Sequence, residues 1–165
     1  METHAAHFKK KRDELKFRTA KIEIEGMLAA VDRGEIDMAY CDEARFAQAH
    51  PNRNAWTPVG QCHARTAQRG KRLNVVGALL SSGELFTAKL WQTMTAMLFV
   101  GFLGLLMAHV GKPLVVILDN ASVHKAKEIE PLLKVLEGKG LRLYFLPPYS
   151  PELNRIEKPV SYTHL

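Results

Sequence analysis

The sequence predicts an α/β fold, in which one sheet with some parallel pairing is flanked by helices. The first observation is the order of the hydrophobic patterns, which reads helix, strand, hairpin, helix, strand, helix, strand, helix. Strands separated by helices favour parallel pairing. The second observation is size, because 165 residues with 47% hydrophobic content suit one compact domain with its own core.

An amphipathic helix is predicted first, from about residue 8 to residue 33. Most of its apolar residues recur at spacings of three and four, which is typical of a helix with one buried face. These residues are Leu15, Ile24, Met27, Leu28 and Val31. Asp32-Arg33-Gly34 ends the helix, and the next run, IDMAYCDE, predicts a buried strand over about 36–42 with Asp42 at its C-terminal end.

The middle of the chain predicts a loop and a hairpin. Residues 44–70 are rich in Arg, Asn, Gln, Pro and Gly, which indicates an irregular or hairpin-containing basic loop. Two strand-like runs follow at about 72–80 and 84–89, and the Ser-Ser-Gly sequence between them predicts a tight turn.

A stretch without charged residues runs from Leu90 to Gly111. It approaches the length of a membrane span, for which about 20 apolar residues are needed. Polar residues dilute its ends, however, and an apolar strand follows at once, so we predict a helix over about 91–109 that is buried in a globular core.

The location of the protein is predicted from its cysteines and its first residues. Cys41 and Cys62 show no metal-ligand spacing, and no signal peptide is recognisable. A reducing, cytoplasmic location is therefore expected.

The last third of the chain predicts two more strands, at about 114–119 and 141–146, the first of them ending at Asp119. Between them, residues 124–136 predict a helix in which Pro131 is a kink or a break between two short turns. The segment LPPYSPELNRIE, residues 146–157, then predicts a helix with Ser150 as N-cap. On such a helix Glu157 shares the apolar face of Leu153.

Basic residues are concentrated in one region. Residues 45–89 contain seven lysines and arginines against a single acid, while the whole chain has a net charge of +6. Such a segment is typical of a surface that faces a polyanion. A solvated basic face without a partner explains the same composition.

Acidic residues follow two of the predicted strands. If the strands that end at Asp42 and Asp119 are adjacent and parallel, both carboxylates project into the crevice at the carboxyl edge of the sheet. Neighbouring carboxylates repel each other unless a cation neutralises them, and Mg²⁺ accepts one or two carboxylates together with water and phosphate oxygens. Either acid alone is better explained as an ordinary strand end. Glu157, placed on the apolar side of its helix, is explained if it joins the two aspartates at a metal.

These motifs resemble the catalytic core of DDE transposases, in particular the bacterial insertion-sequence branch of the Tc/mariner superfamily. VILDNASVHKA followed by LPPYSPELNRIE carries the resemblance, together with YCDEARF and the segments WTPVGQ and QRGKRLNVVGAL. The 37 residues between Asp119 and Glu157 are close to the spacing in that superfamily. The resemblance covers roughly residues 36–158.

The resemblance implies an RNase-H-like fold: a mixed five-stranded sheet flanked by helices, with the first three strands antiparallel and the fourth beside the first. It implies a catalytic domain over residues 35–158, preceded by a helical segment over 1–34. Residues 159–165 do not match the family, which continues the last helix and places a tryptophan near position 160, and they predict a truncated or foreign tail. Arg155 stands where the family usually has proline.

The implied function is metal-dependent cleavage and strand transfer of DNA. The catalytic and metal-binding residues would be Asp42, Asp119 and Glu157, which would hold two Mg²⁺ ions, with Mn²⁺ as a possible substitute. Asp42 would bridge the ions. Asn120 and His124 would support the site from the loop after the fourth strand.

DNA, as transposon end and target, is the expected partner. The predicted backbone contacts are Arg65, Arg69, Lys71 and Arg72, with Trp56 either stacking on a base or packing in its loop. A homodimer and a separately encoded helix-turn-helix part are also implied. Two alternatives remain: an inactive remnant that only binds DNA, and an RNase-H-like nuclease that does not join strands.

Overall fold

The computed structural model describes residues 12–47, 72–120 and 127–157, apart from the side chains of Ala47 and Glu157. Its helices are α1 (Glu14–Asp32), α2 (Ala96–Val110) and α3 (Glu130–Gly138). Its strands are β1 (Asp37–Ala47), β2 (Arg72–Leu80), β3 (Leu85–Leu90), β4 (Leu114–Leu118) and β5 (Leu141–Phe145). Short 3₁₀ turns occupy Lys127–Ile129, Pro151–Leu153 and Arg155–Glu157.

The five strands form one mixed sheet in the order β3-β2-β1-β4-β5. β1, β2 and β3 pair antiparallel, whereas β4 pairs parallel with both β1 and β5. The predicted five-stranded mixed sheet, with its fourth strand beside the first, is therefore confirmed. β4 is buried along its whole length, as expected for a central strand with helices on both faces.

Alternate residues of β1 enter two different cores. Ala39 and Cys41 pack with α2, α3 and the facing side chains of β2 and β4. Met38 and Tyr40 face the other way and pack with α1, Val115 and Ile117. Because successive side chains of a strand point to opposite faces, the hydrophobic pattern of β1 fixes which helices cover which side of the sheet.

α1 follows the predicted amphipathic pattern except at its start. Asp13 caps it by accepting a hydrogen bond from the backbone N–H of Lys16 at 3.2 Å, and this bond is the main reason why the pKa of Asp13 is lowered. Ile24 is buried against the sheet, whereas Leu15 is 75% exposed. The predicted apolar position at Leu15 is thus wrong, because nine residues separate it from Ile24 and so place it on the opposite side of the helix.

α2 is the buried helix that its lack of charge predicts, although it begins at Ala96 instead of about residue 91. Thr95 accepts a hydrogen bond from Leu98 N–H at 3.3 Å and so starts the helix, while Trp91 stays 72% exposed before it. Gly111 ends it in the left-handed conformation (φ 66°). Within the described residues, no helix is long and apolar enough to cross a membrane.

Two further predictions of local structure need correction. The first strand does not end at Asp42 but continues to Ala47, because every residue from Ala39 onwards pairs with β2 even after pairing with β4 has ended. Of the helix predicted over 124–136, the described part begins at Lys127 and is a 3₁₀ turn followed by α3. Pro131 lies in the first turn of α3, where its missing N–H costs no helical hydrogen bond, and so it neither kinks nor breaks that helix.

Candidate active site

The parallel register brings the two predicted aspartates to the same place. The last pair between β1 and β4 joins Tyr40 to Ile117. Two residues further along each strand are Asp42 and Asp119, and both are exposed. Asp42 comes two residues after Tyr40 and Asp119 two residues after Ile117, so each aspartate points to the same face of the sheet as that residue. This is the face that α1 covers, at the end of β4.

The thiol of Cys41 provides a second indication that these carboxylates are neighbours. Its pKa is raised to about 12, mainly by burial and in smaller part by the negative charges of Asp42 and Asp119. Asp42 is the next residue of β1, and the effect of Asp119, which follows the neighbouring strand, indicates that its carboxylate also lies near Cys41. The side chain of Cys41 itself points into the α2 core and takes no part in the exposed site.

Gly77 lies opposite Asp42 in the β1–β2 pairing. A Cβ atom at Gly77 would lie 3.5 Å from Cδ1 of Ile156, which precedes Glu157. The turn that carries Glu157 therefore packs beside Asp42 on the same side of the sheet. A methyl group at Gly77 would fill the remaining space, and a longer side chain would have to displace Ile156.

The segment that carries Glu157 is not the predicted α-helix. It consists of two 3₁₀ turns, separated by Asn154 in an extended conformation (φ −91°, ψ 107°). Ser150 makes no capping bond, and its hydroxyl donates to the carbonyl of Pro148 at 3.4 Å instead. Because the helical repeat is broken, the argument that Glu157 shares a helical face with Leu153 does not hold over the described residues.

Several features of this segment were not recognised in the sequence. Asn154 is buried, and its side-chain oxygen accepts a hydrogen bond from Ile156 N–H at 3.4 Å. Tyr149 has a left-handed backbone (φ 58°), which is uncommon for an aromatic residue. Arg155 places its guanidinium carbon 5.8 Å from the centre of the Tyr40 ring. Asn154, a residue type that is common in turns, is the one local signal against a continuous helix.

The loop after β4 is fastened to β5 by Asn120. Its side-chain amide donates to the carbonyl of Leu146 at 3.0 Å, while Leu146 N–H donates to the carbonyl of Leu118 at 2.8 Å. This contact favours a loop-shaping role for Asn120 and fixes the backbone next to Asp119. His124, predicted to act from the same loop, lies outside the described residues, as do Trp56, Arg65, Arg69 and Lys71.

The donor set fits a hard divalent cation. Asp42 and Asp119 offer carboxylate oxygens at an open edge of the sheet, which is the ligand chemistry that Mg²⁺ and Mn²⁺ use. Among the described side chains, no group of three His, Cys, Asp or Glu residues is close enough to hold a metal. Glu157, the third predicted ligand, is described only in its backbone. Glu43 lies on the opposite face of β1, where it pairs with Arg45 at 3.2 Å.

Solved structures with a similar fold come from transposition and integration complexes. The Mos1 mariner paired-end complex with Mn aligns at a TM-score of 0.53 and 20% identity, covering 91% of this chain and 49% of the Mos1 chain. The Mos1 strand transfer complex aligns at a TM-score of 0.52 and 20% identity, covering 90% of this chain and 48% of the Mos1 chain. An intasome of simian T-cell lymphotropic virus, in complex with the PP2A regulatory subunit B56 gamma, aligns at a TM-score of 0.52 and 15% identity. This alignment covers 77% of this chain and 37% of the intasome chain.

These likenesses establish the RNase-H-like fold, and the chain spans a little less than half the length of the Mos1 chains that it matches. A search of curated proteins gives no match. A family model described as DDE superfamily endonuclease matches residues 37–163, which is most of the chain and includes both aspartates and Glu157. By this match, the chain belongs to the DDE endonuclease superfamily.

Proposed function

We propose that this chain is the catalytic domain of a DNA transposase of the Tc/mariner type, from a bacterial insertion sequence. The observation that carries the proposal is the position of Asp42 and Asp119, each two residues beyond the last β1–β4 pair. Membership in the DDE endonuclease superfamily supports the same reading. A cytoplasmic location, a homodimer and a separate helix-turn-helix part belong to the proposal as predictions of the resemblance.

Asp42, Asp119 and Glu157 would hold two divalent ions, Mg²⁺ or Mn²⁺. When bound, the ions supply positive charge to the attacking and leaving oxygens of an in-line displacement at phosphorus. The protein residues supply position. β1 and β4 hold the aspartates by backbone pairing, and the packing of Ile156 beside Gly77 brings the Glu157 backbone to the same edge.

Water would be the first nucleophile. Its oxygen forms a bond to a phosphorus of the transposon end, and the bond from that phosphorus to the 3′ oxygen breaks, which leaves a 3′-hydroxyl and a 5′-phosphate. The 3′-hydroxyl then attacks a phosphorus of the target DNA, and the target strand leaves with its own 3′-hydroxyl. No covalent protein intermediate is required.

DNA would approach along the ribbon formed by the outer halves of β1 and β2. Beyond Asp42 these strands pair only with each other, and β2 begins at the far end of this ribbon with Arg72. Arg72 belongs to the predicted basic cluster with Arg65, Arg69 and Lys71. Contacts between such side chains and phosphates make binding fall steeply with salt concentration.

The test is cleavage of DNA that contains the flanking ends of the element, in Mg²⁺ and in Mn²⁺. Asp119→Asn keeps the size of the side chain but removes a charged ligand, so cleavage is expected to fall at least about a thousandfold. Glu43→Gln is the matched control, because it removes the carboxylate next to Asp42 that faces the other side of the sheet. Cleavage by this variant should match that of the unaltered chain.

The products decide between the functions. Metal-dependent cleavage followed by joining of the cut 3′ end to a second DNA supports a transposase. Cleavage without joined products would make the protein a nuclease. Salt-sensitive DNA binding without cleavage in either metal would contradict the enzymatic proposal and leave a DNA-binding remnant.

A further inference from the structure

Arg12 is a basic side chain that lies away from the aspartates and is almost fully buried. Only 8% of its side chain is exposed, although it precedes α1 by two residues. A guanidinium is seldom buried unless its donors are paired. The contacts of Arg12 therefore indicate what this burial achieves.

The guanidinium of Arg12 joins two parts of the chain. Its Nε and Nη2 donate to Oε2 of Glu14 at 3.1 and 2.9 Å, and its Nη1 donates to Oε2 of Glu152 at 3.0 Å. The guanidinium carbon also lies 3.9 Å from the centre of the Phe17 ring. A planar fork with several donors can make these contacts together, which an ammonium group cannot do with the same geometry.

Glu152 belongs to the first of the two 3₁₀ turns that lead to Glu157. The backbone bonds within these turns are local, from Leu153 N–H to Ser150 and from Asn154 N–H to Pro151. Local bonds give the turns their shape but do not fix them against the sheet. Arg12 supplies a long-range contact from the start of α1, and Ile156 supplies another where it reaches Gly77.

Both carboxylates of this network are about half exposed, at 52% for Glu14 and 44% for Glu152. Pairs of fully exposed ions contribute little to stability. This network differs because the cation is buried, is hydrogen-bonded to both carboxylates and stacks on Phe17. Loss of Glu152 would leave one donor of a buried cation without its partner.

We propose that Arg12 is a positioning residue, which clamps the turn at Glu152 to α1 and thereby sets the place of Glu157 relative to Asp42 and Asp119. The role in metal binding rests on the proposed function. The contact between Arg12 and Glu152 is independent of that function, since neither residue is one of the proposed metal ligands.

The experiment compares Arg12→Ala and Glu152→Gln with Arg18→Ala. Arg18 is the matched control because it also pairs with Glu14, at 3.7 Å, but its side chain is 74% exposed and makes no ion pair with the turn among the described residues. Hydrogen exchange at the amides of Leu153 and Asn154 is measured without metal. Mn²⁺ affinity is measured separately by calorimetry, and thermal unfolding identifies any variant that fails to fold.

Arg12→Ala and Glu152→Gln should each accelerate exchange at Leu153 and Asn154 and weaken Mn²⁺ binding about tenfold. The double variant should bind Mn²⁺ no more weakly than Arg12→Ala alone, because Glu152→Gln alters a contact that Arg12→Ala has already removed. Arg18→Ala should leave both measurements unchanged. If Arg12→Ala does not fold, Glu152→Gln decides the question by itself.

Unchanged exchange in Glu152→Gln, or an equal effect of Arg18→Ala, would overturn the clamp. If the unaltered chain neither binds Mn²⁺ nor cleaves DNA, the proposed function is wrong together with the metal-binding role of Arg12. The exchange data then still decide whether Arg12 holds the turn.

Discussion

The two strands that carry Asp42 and Asp119 and the two turns that lead to Glu157 are built in different ways. β1 and β4 are held by backbone pairing within the sheet, and Ile117 and Leu118 are completely buried. The turns over 151–157 have local backbone bonds, with Leu153 and Ile156 only partly buried against the sheet. Two of the proposed ligands are thus placed by the core, whereas the third depends on a few side-chain contacts.

This difference separates stability from the geometry of the site. A change in the core should lower the free energy of unfolding and leave the relative position of the ligands nearly intact in the molecules that fold. A change in the turns should do the reverse, because few buried contacts are lost but the proposed third ligand moves.

The largest expected effect comes from truncating one isoleucine in each of the two regions. Ile117→Ala removes fully buried methyl groups and should cost about 3 kcal/mol of unfolding free energy. Ile156→Ala, at a partly buried site, should cost about 1 kcal/mol and yet weaken Mn²⁺ binding more than Ile117→Ala does. Urea denaturation and Mn²⁺ titration measure the two effects. Equal losses of stability would contradict the division into a core-held and a turn-held part.

Gly77 tests the packing between the two regions with a smaller expected effect. A Cβ atom at this position meets Ile156, Leu85 and Thr87 at ordinary contact distances, so Gly77→Ala should change stability by less than about 1 kcal/mol. Gly77→Leu adds atoms that must displace Ile156, which should cost about 2 kcal/mol and weaken Mn²⁺ binding. Thermal unfolding with Mn²⁺ titration checks this, and equal metal affinity in the two variants would argue against close packing of the turn on β2.

Cys41 provides a pH test of the strand region. Its pKa is raised from an ordinary value of 9.0 to about 12, so the unfolded chain releases the thiol proton at a lower pH than the folded chain does. The free energy of unfolding should therefore fall as pH rises from about 9 towards 12, by at most about 1.4 kcal/mol per pH unit from this group.

Cys41→Ala should make this fall less steep. Part of the slope should remain, because burial and the hydrogen bond to Glu23 also raise the pKa of Tyr144. Asp119→Asn should reduce the slope slightly, since it removes one of the charges that raise the thiol pKa. Urea denaturation at several pH values above 8 gives the slopes. If the unfolding free energy falls equally steeply with pH in Cys41→Ala and in the unaltered chain, the pKa of the Cys41 thiol is not raised in the folded protein.

The sheet was largely predictable from the sequence. The positions of β2, β4 and β5 agree with their apolar runs to within about a residue. Patterns of this kind are local, and a buried strand must satisfy them whatever lies around it. The parallel pairing of the strands that carry or precede Asp42 and Asp119 was a condition of the site hypothesis and an implication of the family resemblance, and the structure confirms it. The division into segments 1–34, 35–158 and 159–165 stays a prediction, since much of the first and all of the last lie outside the described residues.

The approach to Glu157 was decided by tertiary structure. Its prolines and Ser150 predicted an α-helix start, but Asn154 is buried in an extended conformation and the segment folds as two turns. The extension of β1 beyond Asp42, the space at Gly77 and the contact from Arg12 to Glu152 likewise arise from partners distant in the chain. By itself, therefore, the sequence determined where the five strands lie to within a few residues and that acids stand at Asp42 and Asp119. Only tertiary packing decided how the third acid is brought to them, because contacts across 140 residues leave no local pattern in the chain.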